Sequence, residues 1–540
     1  MYRLNVNALE VFYRPLLQCL YQPLATVGNG QSNISVVVST QFTLTLKIAP
    51  VDGNGTLCSL SQTFEEAGHY SLWMRQSELL NDVTCSLTVD RSPNNAYLPL
   101  LAAFLILASI TVFWASLPYI LRCSCTQRLK NRICRRRSQN SIEMDEAINE
   151  HSVDKSKSKS SRLKSLDTIR GLSLTVMVFV NYGGGGYWFF QHAPWNGLTV
   201  ANLVMPWFVF IIGTSVVLAF TSMHRKGAPW LQLLCKVTWR TIVLMLIGFC
   251  FMNYSPKDGY CDILVLATDT RSVPPFGFHI FCPGTDQNWW NPIQDLVLHW
   301  PEWIFIVLLE TMWLHLTFLL PVPNCPTGYS GTGDIGDDGL YPNCTERAAT
   351  YIDRWLFGDN IFWYPTCKVL YRTTEPFGPE GVLGTIISIV MGFFCMQAGK
   401  NLLFFRKMNK GILARFHTYM KNGISAAILS KCTRDEGFIP VNKKPWSLSF
   451  VTCMGRMSFV LLGVMYFIVD IKEWCGQPFI YPRMNSIFVY VGHSLLGFYF
   501  PFSWEIRFQD SHWEQLFQSI WGTALWVFIA YLLYRKKKKK

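Results

Sequence analysis

The apolar run FVNYGGGGYWFFQHAPWNG, Phe179 to Gly197, carries an asparagine, four consecutive glycines and a histidine. An unpaired polar group in hydrocarbon costs several kcal/mol, so polar residues inside membrane segments concentrate where a site or pathway needs them. A neutral imidazole at His192 is able to take a proton from an amine or to attack an acyl carbon, and histidine titrates close to physiological pH. The Asn181 amide is able to donate to an oxygen on which charge develops, or to fix a histidine tautomer. The glycines at 183–186, Gly184 and Gly185 among them, free the backbone to leave helical geometry and offer N–H and C=O groups to a ligand. Each feature also has a plainer reading: an interfacial histidine bonded to backbone, an amide joining two helices, a flexible helix end.

Further polar groups sit near apolar runs. Asp167 and Arg170 in SLDTIRG are spaced i and i+3, so they share a helix face at the entrance of a span. There Arg170 could meet an anionic phosphate with Asp167 orienting it, or the two could form an ion pair or interfacial anchor. His493 in VYVGHSLL lies within an apolar run and needs a cavity or a partner, and Asn485 is a weaker candidate. The string GYSGTGDIGDDG lies in a loop with Cys325, Cys344 and Cys367. Its carboxylates could recognise an amino sugar, although such strings usually form turns. Its spacing is unlike a calcium loop, so no metal is assigned. Cys325 and Cys344 are a candidate disulfide, with Cys367 leaving the pairing open.

These residues need a scaffold, and composition says which. Half of the 540 residues are hydrophobic and 15% are aromatic, and mean hydropathy is +0.20. That is a polytopic α-helical membrane protein. The net charge of +13 does not point to nucleic acid, because the basic residues fall in blocks such as RLKNRICRRR and the terminal KKKKK, the pattern of cytoplasmic flanks. Residues 1–96 read as a small lumenal β-rich domain, from alternating runs such as ISVVVSTQFTLTLKI, HYSLWM and CSLTVD. Sequons at Asn33 and Asn54 and the candidate pair Cys58 and Cys85 suit an oxidising compartment. MYRLNVNALEVFYRPLL has neither a clean apolar core nor a small-residue cleavage site, so the true start is expected upstream.

A first span covers 97–121, and 122–165 reads as a disordered basic cytoplasmic loop. Residues 166–535 form the multispan domain, with a lumenal loop at 322–378, and 536–540 is a cytoplasmic tail. Its spans are expected near 168–190, 200–220, 237–253, 302–321, 380–398, 413–430, 447–469, 484–502 and 517–534, about ten in all with the first. Ten crossings from a lumenal N-terminus would leave KKKKK in the lumen, against the positive-inside rule. With the sequon Asn343-Cys-Thr lumenal, the segment between 254 and 295 ought to cross once, yet it holds no run of about 20 apolar residues.

LKSLDTIRGLSLTVMVFVNYGG, HAPWNGLTVANLVMPWFVFIIGTS, FLLPVPNCPTGY, YPNCT, EGFIPVNKKPWSLSFV and MNSIFVYVGHSLLGFYFPF together closely resemble the heparan-alpha-glucosaminide N-acetyltransferase family of lysosomal transmembrane acetyltransferases. The resemblance covers nearly the whole chain from the β-rich domain onward. It implies eleven spans, a homodimer in the lysosomal membrane, and acetyl transfer from cytosolic acetyl-CoA to the terminal glucosamine at the non-reducing end of heparan sulfate. His192 matches the family's active-site histidine, and the resemblance supports a catalytic Asn181, with Arg170, Asp167, Gly184, Gly185 and His493 as candidates for holding acetyl-CoA. The chain departs from the family in two places: Asn202 stands where members carry Asp, and 254–295 replaces an amphipathic basic turn plus a membrane helix. Other readings of intramembrane Asn, Gly and His are a small-solute transporter, which would favour paired interruptions in two related halves, or another membrane acyltransferase.

Overall fold

A computed structural model describes residues 9–122, 163–224, 300–376, 381–407 and 439–539 apart from short internal stretches, with scattered positions between 227 and 246. The expected spans at 237–253 (in most of its length) and 413–430, the basic loop, and the atypical segment 254–295 lie outside the described residues.

The N-terminal region is β-structured. β1 (Leu9–Arg14), β2 (Gln22–Val27), β3 (Leu44–Pro50) and β4 (Cys58–Gln62) form an antiparallel sheet in the order β2-β1-β3-β4, and β5 (His69–Gln76) pairs with β6 (Val83–Arg91). Leu44, Leu46 and Phe64 are its buried centre, and the Cys58–Cys85 disulfide joins β4 to β6. The alternation in ISVVVSTQFTLTLKI is used only in its second half. Residues 33–39 form no strand and Val37 is 97% exposed. β1 and β2, which have weaker alternation, were not expected.

Residues Asn95–Leu163 are a compact unit of their own, whose described part is α1 (Leu98–Arg122). The remaining helices belong with the sheet. They are α2 (Lys164–Asn181), α3 (Val200–His224), α4 (Trp300–Phe318), α5 (Arg347–Phe357), α6 (Lys368–Tyr371), α7 (Val382–Lys407), α8 (Leu448–Met465), α9 (Ile480–Met484), α10 (Ser486–Leu496) and α11 (His512–Lys539). Among the described residues, four helical stretches are long and apolar enough to cross a membrane: Val200–Met223, Val382–Lys400, Leu448–Ile471 and His512–Lys537. α2 falls short because Lys164, Asp167 and Arg170 sit in it, and α4 because Glu302, Glu310 and His315 interrupt its apolar face. The expected spans at 168–190 and 484–502 are each broken. α2 stops at Asn181, and α10 stops at Leu496.

α2, α10 and α11 meet around Leu174, Val178, Val489, Phe502, Trp526 and Ala530. The Trp526 indole stacks on Phe502 at 4.7 Å between centroids and donates to the Tyr182 hydroxyl at 2.8 Å, which satisfies the one polar atom of a buried ring. α3 lies along α7 at close range. A Cβ on Gly213 would fall 2.5 Å from Cys395 Cβ, and one on Gly399 would fall 3.0 Å from Val217 Cβ. In a bilayer such small residues let helices gain dispersion contact where no hydrophobic effect separates helix from lipid.

Gly213→Val should therefore lower thermal stability in detergent by overpacking, by about 1–3 kcal/mol. Gly55→Val, where a Cβ meets nothing within 4 Å, serves as the control. Equal melting shifts in the two variants would contradict the packing argument.

Candidate active site

α2 delivers Asn181 at its C-terminal end, and the chain then turns through Gly183, Gly184, Gly185 and Gly186 at φ of 92°, 56°, 73° and 78°. Four successive left-handed residues are a conformation for which only glycine lacks a steric penalty. Gly184 and Gly185 are buried. The Gly185 N–H donates to Ser519 Oγ at 3.2 Å, and His512 Nδ1 lies 2.7 Å from the Gly185 carbonyl oxygen. The backbone groups of Gly185 are thus engaged by α11.

Beyond the turn, Tyr187 to Phe190 pack as an aromatic cluster, and His192 follows in an irregular segment. That segment is fixed at several points. Gly197 N–H donates to the Val441 carbonyl at 2.9 Å, Trp195 is buried with Cys19 and Tyr371, and the Cys367 thiol donates to the Pro194 carbonyl. The Cys325–Cys344 disulfide forms in the loop, leaving Cys367 free, and burial pushes the Cys367 thiol up.

The His192 ring remains open to solvent while its Nδ1 edge meets two side chains. Asn202 Oδ1 lies 3.1 Å from Nδ1, and Lys443 Nζ lies at the same distance. Asn202 is fully buried and donates from Nδ2 to the Gly197 carbonyl at 3.4 Å, which aims Oδ1 at the imidazole. Pro206, four residues on, lacks the N–H that would have reached the Asn202 carbonyl in a regular helix. One ring nitrogen is unable to serve both neighbours at once. With Nδ1–H donating to Asn202, the Nε2 lone pair is free; with Nδ1 accepting from Lys443, Nε2 carries the proton. Partial desolvation first, and the Lys443 ammonium second, hold the His192 imidazole below its usual range against the Asn202 hydrogen bond.

The other candidates form separate pairings. Asn181 Nδ2 lies 2.9 Å from His493 Nε2, while His493 Nδ1 donates to the Val489 carbonyl at 3.1 Å. Those two contacts fix the tautomer: Nδ1 is protonated and Nε2 accepts from the amide. Asn181 orients His493 here, across α2 and α10. At the far end of α2, Asp167 pairs with Arg483 of α9 at 2.8 Å, and Arg170 donates to Ser215 of α3 at 3.0 Å. Lys400 pairs with Glu302 at 2.9 Å, tying α7 to α4. Among the described residues no group of three His, Cys, Asp or Glu is placed to hold a metal.

Sequence reasoning missed Lys443, which sits in VNKKPW, and assigned Asn202 no role. It also missed Glu346, which starts α5 at φ 40°, is 4% exposed, and has Oε1 without a hydrogen-bond partner in a cavity lined by Trp313, Tyr329 and Asn442. Asp353 on α5 accepts from the Val382 N–H at 2.8 Å, capping α7. No local signal marks either carboxyl, since both are buried by elements distant in sequence.

A polytopic membrane protein with a solvent-reachable histidine held by an amide and flanked by an ammonium is equipped for acid–base chemistry at a membrane surface. No protein-family model matches the chain. It is 42% identical to the Mus musculus heparan-alpha-glucosaminide N-acetyltransferase over 556 aligned positions, covering 96% of this chain and 84% of the relative. The Homo sapiens protein of that name is 41% identical over 561 positions, 96% of this chain and 83% of the relative. The chain belongs to the heparan-alpha-glucosaminide N-acetyltransferase family and is an acyltransferase.

Burial pushes the Glu346 carboxyl well above its ordinary 4.5 and raises Asp353 from 3.8 to about 6. Both raised groups bind more protons in the folded state, so stability is fully present in acid and falls as pH rises. For Asp353 the loss falls between about pH 4 and 6, and for Glu346 it starts at its ordinary value and continues upward. Thermal unfolding should give a higher midpoint at about pH 5 than at neutrality. Glu346→Gln should flatten that slope, and an unchanged slope would show that Glu346 is not the group responsible.

Proposed function

We propose that the protein transfers the acetyl group of cytosolic acetyl-CoA to the amine of the terminal glucosamine of heparan sulfate in the lysosome lumen, as a homodimer in the lysosomal membrane. The observation that carries this reading is the near-full-length identity to two enzymes of that name, with His192 seated on a buried amide where a base is required.

In this reading the amine nitrogen attacks the thioester carbonyl carbon, the C–S bond breaks, and the thiolate leaves with coenzyme A. The amine proton goes to His192 Nε2, free when Nδ1–H donates to Asn202. Direct transfer within a ternary complex is preferred to an acetyl-imidazole, because the latter is labile to water and His192 is open to solvent. The phosphates of coenzyme A require cations. Arg483, paired with Asp167, and Arg170, bonded to Ser215, stand at the end of α2 taken as cytosolic and supply two guanidiniums. The Asn181–His493 pair lines the opposite end of that helix and serves as the polar lining through which an acetyl oxygen is met.

Lys443 has a clear use here. An acidic lumen protonates an ordinary histidine, and a neighbouring ammonium opposes that, so the base stays neutral where the enzyme works. Labelled acetyl-CoA and glucosamine given to detergent-purified protein test the reading directly. His192→Ala should cut turnover by about 10²–10⁴-fold, and a near-normal rate would remove His192 from the mechanism.

Asn202→Asp and Lys443→Ala should each raise the His192 pKa. The acid limb of the rate profile then moves to higher pH, with activity lost in acid and kept near neutrality. Profiles superimposable on the wild type would show that neither neighbour governs the base.

A further inference from the structure

His512 opens α11, and the face that follows it presents Gln515, Leu516 and Ser519 at i+3, i+4 and i+7 to the glycine turn. A Cβ on Gly185 would fall 2.8 Å from Leu516 Cδ1, and one on Gly186 would overlap the Gln515 side chain. Ser519 takes the Gly185 N–H and donates to the Tyr182 carbonyl at 2.8 Å. His512 completes the grip. Its Nδ1 lies 2.7 Å from the Gly185 carbonyl oxygen, its Nε2 lies 2.6 Å from Glu66 Oε2 of the N-terminal β-structured region, and its ring stacks on Tyr187 at 4.2 Å and 7°.

Both ring nitrogens face acceptors that bring no hydrogen of their own: a backbone carbonyl and a carboxylate. Both bonds form together only when both nitrogens are protonated. A neutral imidazole has one N–H and must give up one of the two. Histidine side chains make that change within the range that separates an acidic compartment from a neutral one. The titratable groups around the ring are Glu66, the Tyr187 phenol, and on α11 itself Glu514, whose carboxylate accepts from the Arg507 N–H at 3.1 Å.

We propose that His512 is a positioning residue: as a cation it clamps the glycine turn between α11 and Glu66, and so sets Asn181 before the turn and the His192 segment after it. The clamp is complete when both ring nitrogens carry a proton and gives up one of its two bonds when the ring is neutral. Its effect on catalysis rests on the acetyl-transfer reading; the clamp itself does not.

Hydrogen exchange across Tyr182–Phe190 in the full-length detergent-solubilised protein tests it, after correction for the intrinsic pH dependence of exchange. Protection in the wild type should be about tenfold greater at about pH 5 than at about pH 7.5, the effect of one charge-assisted hydrogen bond. Glu66→Gln removes the carboxylate at a partly exposed position with no change of shape, and it should abolish most of that difference. His512→Gln, which keeps a donor but no titration, should make protection independent of pH. In the transfer assay Glu66→Gln should lower kcat in acid with KM for acetyl-CoA unchanged. Equal wild-type protection at both pH values, or a Glu66→Gln variant with the wild-type pH dependence, overturns the proposal. A pH-dependent clamp in a protein that acetylates no glucosamine would leave the clamp standing and remove the assigned reaction.

Discussion

Everything at the candidate site depends on one backbone constraint: a helix that ends among apolar neighbours must satisfy its last carbonyls and the polar groups of the chain that continues from it. α2 does this with four glycines at positive φ, and α11 supplies the partners, Ser519 for the Gly185 N–H and the Tyr182 carbonyl and His512 for the Gly185 carbonyl. A β-branched or bulky residue in this run would be strained by the conformation before any contact was considered. The side of α11 then has no freedom either, since Leu516 and Gln515 fill the space that the missing Cβ atoms leave. The turn is thus a joint between two helices, and it determines where Asn181 stops and where the His192 segment begins.

Much of this architecture was legible in the sequence, for reasons that differ from place to place. The glycines at 183–186 could be read as a place where the backbone leaves helical geometry, although the span was expected to run on to 190, and α3, α7, α8 and α11 could be read because long apolar runs are a strong signal in a bilayer. The pairing of Cys325 with Cys344 stood as one alternative among three cysteines, and the fold settles it. Strand reading did less well. The valine-rich half of the run, around Val36 to Val38, lies outside the sheet while the strictly alternating LTLKI forms β3, because β-branched residues say that a segment could be a strand and say nothing about whether an edge exists for it to join.

The site itself was legible only in part. His192 and Asn181 were visible as isolated chemistry, but their partners were not, because spacing within one helix carries no information about contacts between residues 251 or 312 positions apart. Asp167 and Arg170 shared a predicted face, and the fold sends Asp167 to Arg483 on α9 and Arg170 to Ser215 on α3. The adjacent lysines of VNKKPW drew no reading of their own, whereas Lys443 reaches back to the imidazole. Long side chains on irregular segments are the class of residue for which pattern reading fails most often, since nothing in their neighbours fixes a direction.

Under the proposed role of His192 as a base, the pairing of histidine with amide and ammonium bears on how the imidazole stays neutral in acid. A carboxylate at position 202 would hold the ring in the right tautomer at the cost of favouring its charged form, since a negative partner raises a histidine pKa. An amide supports the same tautomer when Nδ1–H donates to it, without adding charge, and Lys443 shifts the balance further toward the neutral ring. The weaker electrostatic support for an imidazolium means that less stabilisation is available once the proton has been taken. A base tuned this way gains population in acid and loses driving force for proton transfer, and the two effects oppose one another along the Brønsted relation. In the reaction proposed above, the departing thiolate is the final proton acceptor, and that step is what would let so weak a base complete the cycle.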